Sequence, residues 1–262
     1  MVEVSKRDVT ANITLPKELT TELAELIGII IGDGHLSSLQ RIGRIQRELF
    51  IAGNREEREY INHIIDIFYS QFHYTLRYRE DKRSKAILLT AHSKGIVHYL
   101  SKVCGIPTGK KVDSVQIPSL IKNSSIPLKC AFLRGLADTD FYTTFKKNSS
   151  GRYCYPHIKG SFKSKLLVQD VENLLAELNF KYSVYYDENR FDKRFNTHFK
   201  MHNIYLNGNK NFEKWLELIG TYQQKVLLKI EKWRKDGQCP PPESPRRELN
   251  FRSEESRNLL MS

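Results

Sequence analysis

Cysteine motifs and long apolar runs are both missing from this sequence. The four cysteines form no CxxC pair, which predicts free thiols and argues against a zinc site or a disulfide framework. No run approaches the roughly 18 apolar residues of a transmembrane helix, and the stretch Leu26–Ile31 follows too many acids for a signal peptide. We therefore expect a soluble intracellular protein without a membrane partner, in the cytoplasm, the nucleoid or an organelle matrix.

Histidine patterns for metal binding are missing as well. The eight His residues form no HExxH motif. His198 and His202 lie four residues apart, but in a segment that we interpret as a strand, where such a pair more often lies on a surface or in a groove than on a metal. A metal site would therefore need oxygen ligands.

Acidic residues are too few to balance the basic ones. The chain has 42 Lys and Arg against 30 Asp and Glu, a formal net charge of +12 and a pI near 9.4, and its basic residues are spread along the whole length. This favours a polyanionic partner, although composition alone does not separate nucleic acid from an acidic membrane or from a merely solvated basic surface. With 262 residues, of which 40% are hydrophobic, the chain can bury one large core or two small ones.

The sequence contains an internal duplication. The segment LIGIIIGDG at Leu26–Gly34 matches LRGLADTDF at Leu133–Phe141, and the match continues downstream at the same offset of 107 residues. We therefore interpret the chain as two units of about a hundred residues. The aligned pairs are Gly28 with Gly135, Gly32 with Thr139, Asp33 with Asp140, Gly53 with Gly160, Asn54 with Ser161, and Arg58 with Lys165.

Each unit is predicted to run as helix, strand pair, helix, strand pair, helix. Spacings of three and four between apolar residues indicate the helices, and segments rich in arginine and in β-branched or aromatic residues indicate the strands. In segments such as 77–79 and 198–202, polar and apolar residues alternate, which predicts one buried and one basic face. The predicted helices cover 16–31, 56–68, 163–178 and the residues from Pro127 onward, and the predicted strand pairs cover 36–52, 74–90, 142–159 and 182–206.

Composition divides the chain into four parts. We expect an N-terminal half over residues 1–112, a Pro- and Ser-containing connector over 113–126, and a C-terminal half over 127–236. Residues 237–262 are polar, carry several prolines and show little periodicity, so we predict a flexible tail or a loosely packed extension.

The repeated motif predicts two close helices that bring two acids together. Glycine inside a helix costs about 0.5 to 1 kcal/mol relative to alanine, so small residues four apart in both motifs indicate close helix packing. Asp33 and Asp140 end these helices, where the helix dipole disfavours a carboxylate, and together they would repel unless a cation lay between them. Seen once, Gly32-Asp33-Gly34 would be an ordinary helix stop and turn. Its repetition at constant offset, with basic strands following, favours a Mg²⁺ site that polarises phosphodiesters and activates water.

The two segments resemble the paired motifs of the LAGLIDADG homing endonucleases, in the monomeric form that carries two motifs in one chain. The resemblance covers roughly residues 17–235. It implies an α+β fold of two pseudo-symmetric αββαββα halves that pack through their motif helices, with antiparallel sheets that form a DNA-binding saddle over the major groove. The helix interface would use Gly28, Gly32, Gly135 and Thr139.

The resemblance also implies a catalytic centre. Asp33 and Asp140, with Gly32 and Thr139 directly before them, would hold Mg²⁺, for which Mn²⁺ could substitute, whereas Ca²⁺ would support binding without cleavage. A basic pocket would adjoin the scissile phosphates of each half, completed by a lysine from late in that half. Ile31 replaces the first acid of the family motif and Phe141 replaces its last glycine, so the two half-sites would be held differently. The pocket residues would be Asn54, Arg58 and Lys111, with Lys110 close behind, in the first half, and Ser161, Lys165 and Lys225 in the second.

Basic residues of the predicted strands are candidates for DNA binding. A two-stranded β-ribbon fits the major groove, and we expect most of these residues to contact phosphate rather than bases. A solvated strand charge remains the alternative for each of them. The candidates are Arg41, Arg44, Arg47, Arg77, Arg79, Arg83, Lys85, Lys146, Lys147, Arg152, Lys159, Arg190, Arg194 and Lys200.

The leading functional hypothesis is a metal-dependent endodeoxyribonuclease that makes a double-strand break at a long, pseudo-palindromic target. The alternative on the same scaffold is an intron RNA maturase or a non-cutting DNA-binding protein, so intron RNA is a second candidate partner beside double-stranded DNA. Because the sequence starts at Met1 without a splicing nucleophile and does not end in His-Asn, a free-standing, intron-encoded protein fits better than an intein-resident one.

Overall fold

The computed structural model describes residues 2–41, 44–109, 114–193 and 196–240, and for residues 39–41 and 44–46 it describes the backbone alone. The N-terminal half contains one four-stranded antiparallel sheet with strand order β1-β2-β4-β3. Its helices cover that sheet and one another. The elements are α1 Lys6–Thr10, α2 Thr21–Gly32, β1 Gly34–Arg41, β2 Arg44–Asn54, α3 Arg58–Phe72, β3 Arg77–Glu80, β4 Ala86–Ala91 and α4 Lys94–Lys102.

The C-terminal half repeats this arrangement with a second antiparallel sheet of order β5-β6-β8-β7. The predicted α+β fold with two αββαββα halves is therefore confirmed. Within the predicted connector, residues 119–122 form a short helix. The elements are α5 Ser119–Lys122, α6 Ile126–Asp140, β5 Phe141–Lys147, β6 Tyr153–Phe162, α7 Lys165–Glu177, β7 Ser183–Asp192, β8 Thr197–Asn207, α8 Asn209–Leu218 and α9 Gln224–Asp236.

The motif helices α2 and α6 pack against each other at the centre of the molecule. A Cβ added to Gly28 would lie 2.2 Å from the carbonyl oxygen of Phe132, and one added to Gly135 would lie 2.1 Å from the carbonyl oxygen of Glu25. The backbones of the two helices are thus in direct contact at these glycines. Because α2 is also covered by its own sheet, all its residues from Leu23 to Ile31 are buried, which explains an apolar helix without a polar face.

Two sequence-based predictions about local structure are wrong. The first motif helix begins at Thr21 rather than at Pro16, because the Thr20 side chain accepts a hydrogen bond from the Leu23 amide at 3.1 Å and caps the helix there. Strand β3 does not have the buried face that its alternation predicts, since all four of its residues are exposed. It is an edge strand of its sheet, paired with β4 alone.

A short N-terminal helix that the sequence did not predict is tied to the first half by one buried carboxylate. Asp8 accepts hydrogen bonds from the Ser5 amide (2.7 Å) and the Ser5 hydroxyl (2.8 Å) within α1, and from the Ser93 hydroxyl (2.7 Å) and the Gly95 amide (3.0 Å) at the start of α4. Burial by itself raises the pKa of Asp8, but these hydrogen bonds outweigh burial and leave the pKa below its usual value. Asp8 thus connects two helices that are far apart in sequence.

None of the helices in the described ranges has the length and hydropathy that crossing a membrane requires.

Candidate active site between the motif helices

The two motif acids lie at the same end of the central helix pair. Asp33 caps the C-terminus of α2, where its amide donates to the Ile29 carbonyl at 2.9 Å, and Asp140 is the last residue of α6. Gly32, which precedes Asp33, lies close to Asp140: a Cβ at this position would lie 2.7 Å from Oδ2 of Asp140. The Asp140 carboxylate therefore occupies space next to Gly32, the residue directly before Asp33.

The oxygen donors at this end fit a hard divalent cation. The Thr139 hydroxyl donates to the Leu136 carbonyl at 2.8 Å, so the hydroxyl is engaged within its own helix. Among the described residues no group of three or more His, Cys, Asp or Glu side chains could hold a metal. Two carboxylates suit Mg²⁺, which is commonly held by one or two carboxylates and completed by water and substrate phosphates.

Negative potential at this end of the helix pair also acts on a buried tyrosine. The pKa of Tyr60 is raised well above its usual value, first by burial and then by the charges of Asp138 and Asp33. The C-terminal ends of α2 and α6 add the negative ends of two helix dipoles. A cation is therefore electrostatically favoured here.

Three of the predicted pocket residues come together beside the start of α3. Asn54 ends β2, and its side-chain oxygen accepts a hydrogen bond from the Glu56 amide at 3.1 Å. Arg58 is the exposed first residue of α3. Lys225 reaches this place from the second half: its Nζ lies 2.5 Å from Oε1 of Glu57, the residue between the other two.

The sequence-based grouping placed Lys225 in the pocket of the second half, and the structure places it against the first. The segment before α9 crosses to the other half because the Tyr222 ring stacks on the His63 ring of α3, with centroids 3.7 Å apart. The corresponding segment of the first half crosses in the opposite direction: the Val115 carbonyl accepts from the Ser164 hydroxyl at 2.6 Å. Ser164 caps α7 and stands 107 residues after Glu57, the cap of α3, so the crossing follows the internal duplication.

The predicted pocket residues of the second half lie at equivalent positions. The Ser161 hydroxyl donates to the side-chain oxygen of Asn203 at 2.5 Å. Lys165 begins α7, and its Nζ lies 3.2 Å from Oδ2 of Asp187 and 5.3 Å from the centre of the Tyr186 ring. Lys110 and Lys111 lie outside the described residues.

A buried ionic network across the helix interface was not predicted from the sequence. Glu25 of α2, 2% exposed, accepts from Nη2 of Arg134 at 2.6 Å and lies 2.6 Å from Nε2 of His63. Burial by itself lowers the pKa of Arg134, but the Glu25 carboxylate reverses this effect and raises it. Arg134 also donates to the Ile219 carbonyl at 3.2 Å, so the network reaches the segment before α9.

The first acid of the second motif, Asp138, is buried and holds the same segment. Its carboxylate accepts from the Thr221 hydroxyl at 2.5 Å and from the Tyr222 amide at 2.8 Å, and its carbonyl accepts from Nε2 of Gln223 at 2.8 Å. Burial raises the pKa of Asp138 to about 7 even though the hydrogen bonds from Thr221 and Tyr222 lower it. The position 107 residues earlier is Ile31, whose aliphatic side chain cannot accept a hydrogen bond.

One face of the second sheet carries aromatic and basic residues. Residues 156, 158, 160 and 162 of β6 are buried, so the alternate residues face outward. Lys159 lies opposite Tyr142 on one side and Tyr205 on the other, with its Nζ 5.3 Å from the centre of the Tyr205 ring. Burial, followed by the charge of Arg190, lowers the pKa of Lys159. Tyr155 and Tyr185 are exposed on the same face.

The basic candidates of the second half divide between the two faces of the sheet. Lys146, Lys159 and Arg190 share the outward face by register. Lys200 points to the opposite face and lies 3.3 Å from Asp187, so it does not share the surface predicted for it. Of the remaining candidates, Lys147 lies with its Nζ 5.3 Å from the Tyr153 ring, Arg152 lies in the turn before β6, and Arg194 lies outside the described residues.

The corresponding face of the first sheet carries fewer of the predicted cations. Arg77 and Arg79 lie opposite Thr90 and Leu88 on the outward face. Arg47 is on the other face, where Nη1 lies 3.3 Å from Oε2 of Glu3, because its neighbours 49 and 51 in β2 point into the core. Lys85 pairs with Glu56 at 2.5 Å, Arg83 lies in the turn between β3 and β4, and the side chains of Arg41 and Arg44 lie outside the described residues.

Two similar halves, packed through glycine-lined helices that each end in an acid, define the architecture of this chain. Residues 127–220 match the LAGLIDADG-like domain family. The structure of I-DmoI in complex with DNA and Mn is similar to this chain, with 18% sequence identity and a TM-score of 0.54. The match covers 78% of this chain and 98% of the I-DmoI chain. The structure of the I-LtrWI LAGLIDADG homing endonuclease bound to target DNA is 10% identical to this chain, with a TM-score of 0.53. That match covers 92% of this chain and 96% of the I-LtrWI chain. The chain therefore has the fold of these proteins.

A match to a curated protein covers the chain only in part. A DNA polymerase of Methanocaldococcus jannaschii is 29% identical to this chain over 177 residues, which is 62% of the chain. The chain spans only 9% of the length of that polymerase.

Proposed function

We propose that this protein is a site-specific, divalent-metal-dependent DNA endonuclease that acts as a monomer and makes a double-strand break at a long, pseudo-palindromic target. The observation that carries the proposal is the meeting of Asp33 and Asp140 at one end of the central helix pair, beside Gly32. Both motif acids come from one chain, so a single copy supplies the pair.

Asp33 and Asp140 are the residues that would hold the metal, with Gly32 and Thr139 directly before them in the chain. Bound Mg²⁺ supplies Lewis acidity to the phosphodiester and lowers the pKa of an attacking water. Arg58 is exposed at the start of α3, and Lys225 is paired with the neighbouring Glu57; the positive charge of both would stabilise negative charge developing on phosphate. Lys165 and Ser161 occupy the equivalent positions in the second half.

The outward faces of the two sheets are the surfaces that we assign to DNA. Lys146, Lys159 and Arg190 on one sheet and Arg77 and Arg79 on the other place cations on both of them. Solved structures of I-DmoI, which share the fold, contain DNA with Mn or with Ca, and this supports a duplex partner and a divalent metal. Because only the second face is rich in tyrosine, the two half-sites should differ in sequence.

The test starts from a target selected with the protein itself. Duplexes are enriched from a long randomised library in Ca²⁺, and the enriched duplex is then incubated with Mg²⁺. We expect a defined double-strand cut that Asp33→Asn and Asp140→Asn each slow by at least about 100-fold, since a metal ligand is lost, while the affinity in Ca²⁺ persists.

Asp66→Asn is the matched control, because this acid is exposed on α3 and lies outside the site. It should cut at the wild-type rate. Selective binding without a cut in Mg²⁺ or Mn²⁺ would replace the nuclease with a non-cutting DNA-binding protein, and a preference for structured RNA would indicate a maturase instead.

A further inference from the structure

The position of Lys225 depends on a segment that belongs to the other half of the molecule. Its Nζ lies 2.5 Å from Glu57, and its side chain is otherwise largely exposed. An exposed ion pair of this kind contributes little to stability, because water screens it. The pair therefore cannot by itself fix where the backbone before Lys225 runs.

Asp138 holds the backbone before Lys225 through hydrogen bonds. Thr221, Tyr222 and Gln223 each donate a hydrogen bond to this one residue, at 2.5, 2.8 and 2.8 Å. Asp138 is 9% exposed and lies in the central helix α6, which is fixed by its packing against α2. Helix α9 starts directly after these three residues, so their position sets the start of the helix that carries Lys225.

The first half is built differently at the equivalent position. Residue 31 is isoleucine, and the segment before α5 is held by Asp170, whose Oδ2 accepts from the Ile117 amide at 2.9 Å and whose Oδ1 lies 2.6 Å from Lys122. Asp170 belongs to the opposite half and stands 107 residues after His63. The two late segments are thus tethered by unlike residues.

We propose that Asp138 is a positioning residue for Lys225: it fixes Thr221–Gln223 so that the Lys225 ammonium stands beside Glu57 and Arg58 in one of the two pockets and not in the other. The role of that ammonium in catalysis rests on the proposed function. Loss of the tether would impair the pocket that contains Lys225 and spare the pocket of Ser161 and Lys165. The protein would then cut one strand much more slowly than the other.

The position of Lys225 can be measured without DNA. Competitive acetylation of the free, full-length protein, read residue by residue by mass spectrometry, gives the reactivity of Lys225 relative to Lys232, an exposed lysine of the same helix. In Asp138→Ala and in Thr221→Val this ratio should rise about 1.5- to 5-fold, because the ion pair with Glu57 is released.

Two controls make the labelling decisive. Thr221→Ser keeps the hydroxyl donor and should restore the wild-type ratio, and Asp170→Ala removes the tether of the other segment and should leave the ratio unchanged. Thr221→Val keeps the central helix intact, so the test stands even if Asp138→Ala fails to fold. An unchanged ratio in folded Thr221→Val and Asp138→Ala would overturn the proposal.

Strand-resolved cutting gives the second readout. On a duplex that the wild type cuts, with each strand labelled separately, Asp138→Ala should slow one strand up to about 100-fold more than the other and accumulate nicked duplex. Equal slowing of both strands would contradict the asymmetry. If the wild type cuts no duplex, the proposed function fails, whereas the labelling still decides whether Asp138 positions Lys225.

Discussion

At the scale of single residues, a buried carboxylate can govern stability far from any candidate site. Asp8 receives four hydrogen bonds and is 2% exposed, and it connects α1 to the start of α4. Its pKa is lowered on folding, so its contribution to stability is fully present above its unfolded pKa of about 3.9 and is lost as pH falls through the lower folded value.

We expect Asp8→Asn to lower the free energy of unfolding by about 1 to 3 kcal/mol near neutral pH, because charged hydrogen bonds are replaced by weaker or missing ones. The difference from wild type should shrink progressively below about pH 4, where the wild-type carboxyl also becomes protonated. Urea unfolding of both proteins across pH measures this. A difference that stayed constant down to the acid limit would show that the Asp8 charge is not involved.

Residues with a repeated pattern could be predicted from the sequence, and residues with a single long-range partner could not. Asp33 and Asp140 stand out because the motif occurs twice. Glu25 gives no such signal: an acid in the first turns of a helix is ordinary, and its partner Arg134 lies 109 residues away. Only the packing of α2 on α6 brings the two together.

At the scale of elements, the close contact between α2 and α6 depends on glycine. Gly28→Ala would place a Cβ 2.2 Å from the backbone oxygen of Phe132, and backbone in a packed helix cannot move aside as a side chain can. We expect a loss of about 1 to 3 kcal/mol or more in the free energy of unfolding, measured by denaturant titration. Gly95→Ala is the matched control in α4, because its nearest neighbours are the side-chain ends of Ile13 and Val4 at 2.9 and 3.0 Å.

In Gly95→Ala the better helix propensity of alanine should offset most of the crowding, so its stability should stay close to that of the wild type. Equal effects of the two substitutions would contradict a special role for the helix contact.

The order of elements could be read from the sequence because the helix and strand periods differ. The start of α2 could not, because a threonine cap at residue 20 prevailed over a proline four residues earlier.

At the scale of the whole molecule, lysines and arginines occur throughout the chain, but only some of them lie on the outward faces of the two sheets. Lys146 and Lys200 are both exposed strand lysines, yet register places only Lys146 on the face shared with Lys159. Strand periodicity predicted exposure for both. It could not predict which face points outward, because that depends on where the helices pack.

Salt dependence of DNA affinity separates these two lysines. Lys146→Ala should reduce the slope of log K against log salt by about 0.9, the value for one lost phosphate contact. Lys200→Ala should leave the slope unchanged, since it points to the other face. Fluorescence anisotropy with one duplex in Ca²⁺ at several salt concentrations measures both, and equal slopes for the two variants would show that the outward face is not the one that meets DNA.

The buried pair of Glu25 and Arg134 also governs which halves can associate. At the equivalent positions the other half has Phe132 and Ile27, so the pair forms only between unlike halves. Two copies of the first half, packed in the same way, would leave each Glu25 facing isoleucine with only His63 of its own half beside it, and two copies of the second would set two arginines against phenylalanine. A buried charge without its partner costs several kcal/mol. The interface between α2 and α6 thus favours association of an N-terminal half with a C-terminal half. Separately expressed halves should therefore form this mixed pair in preference to either homodimer.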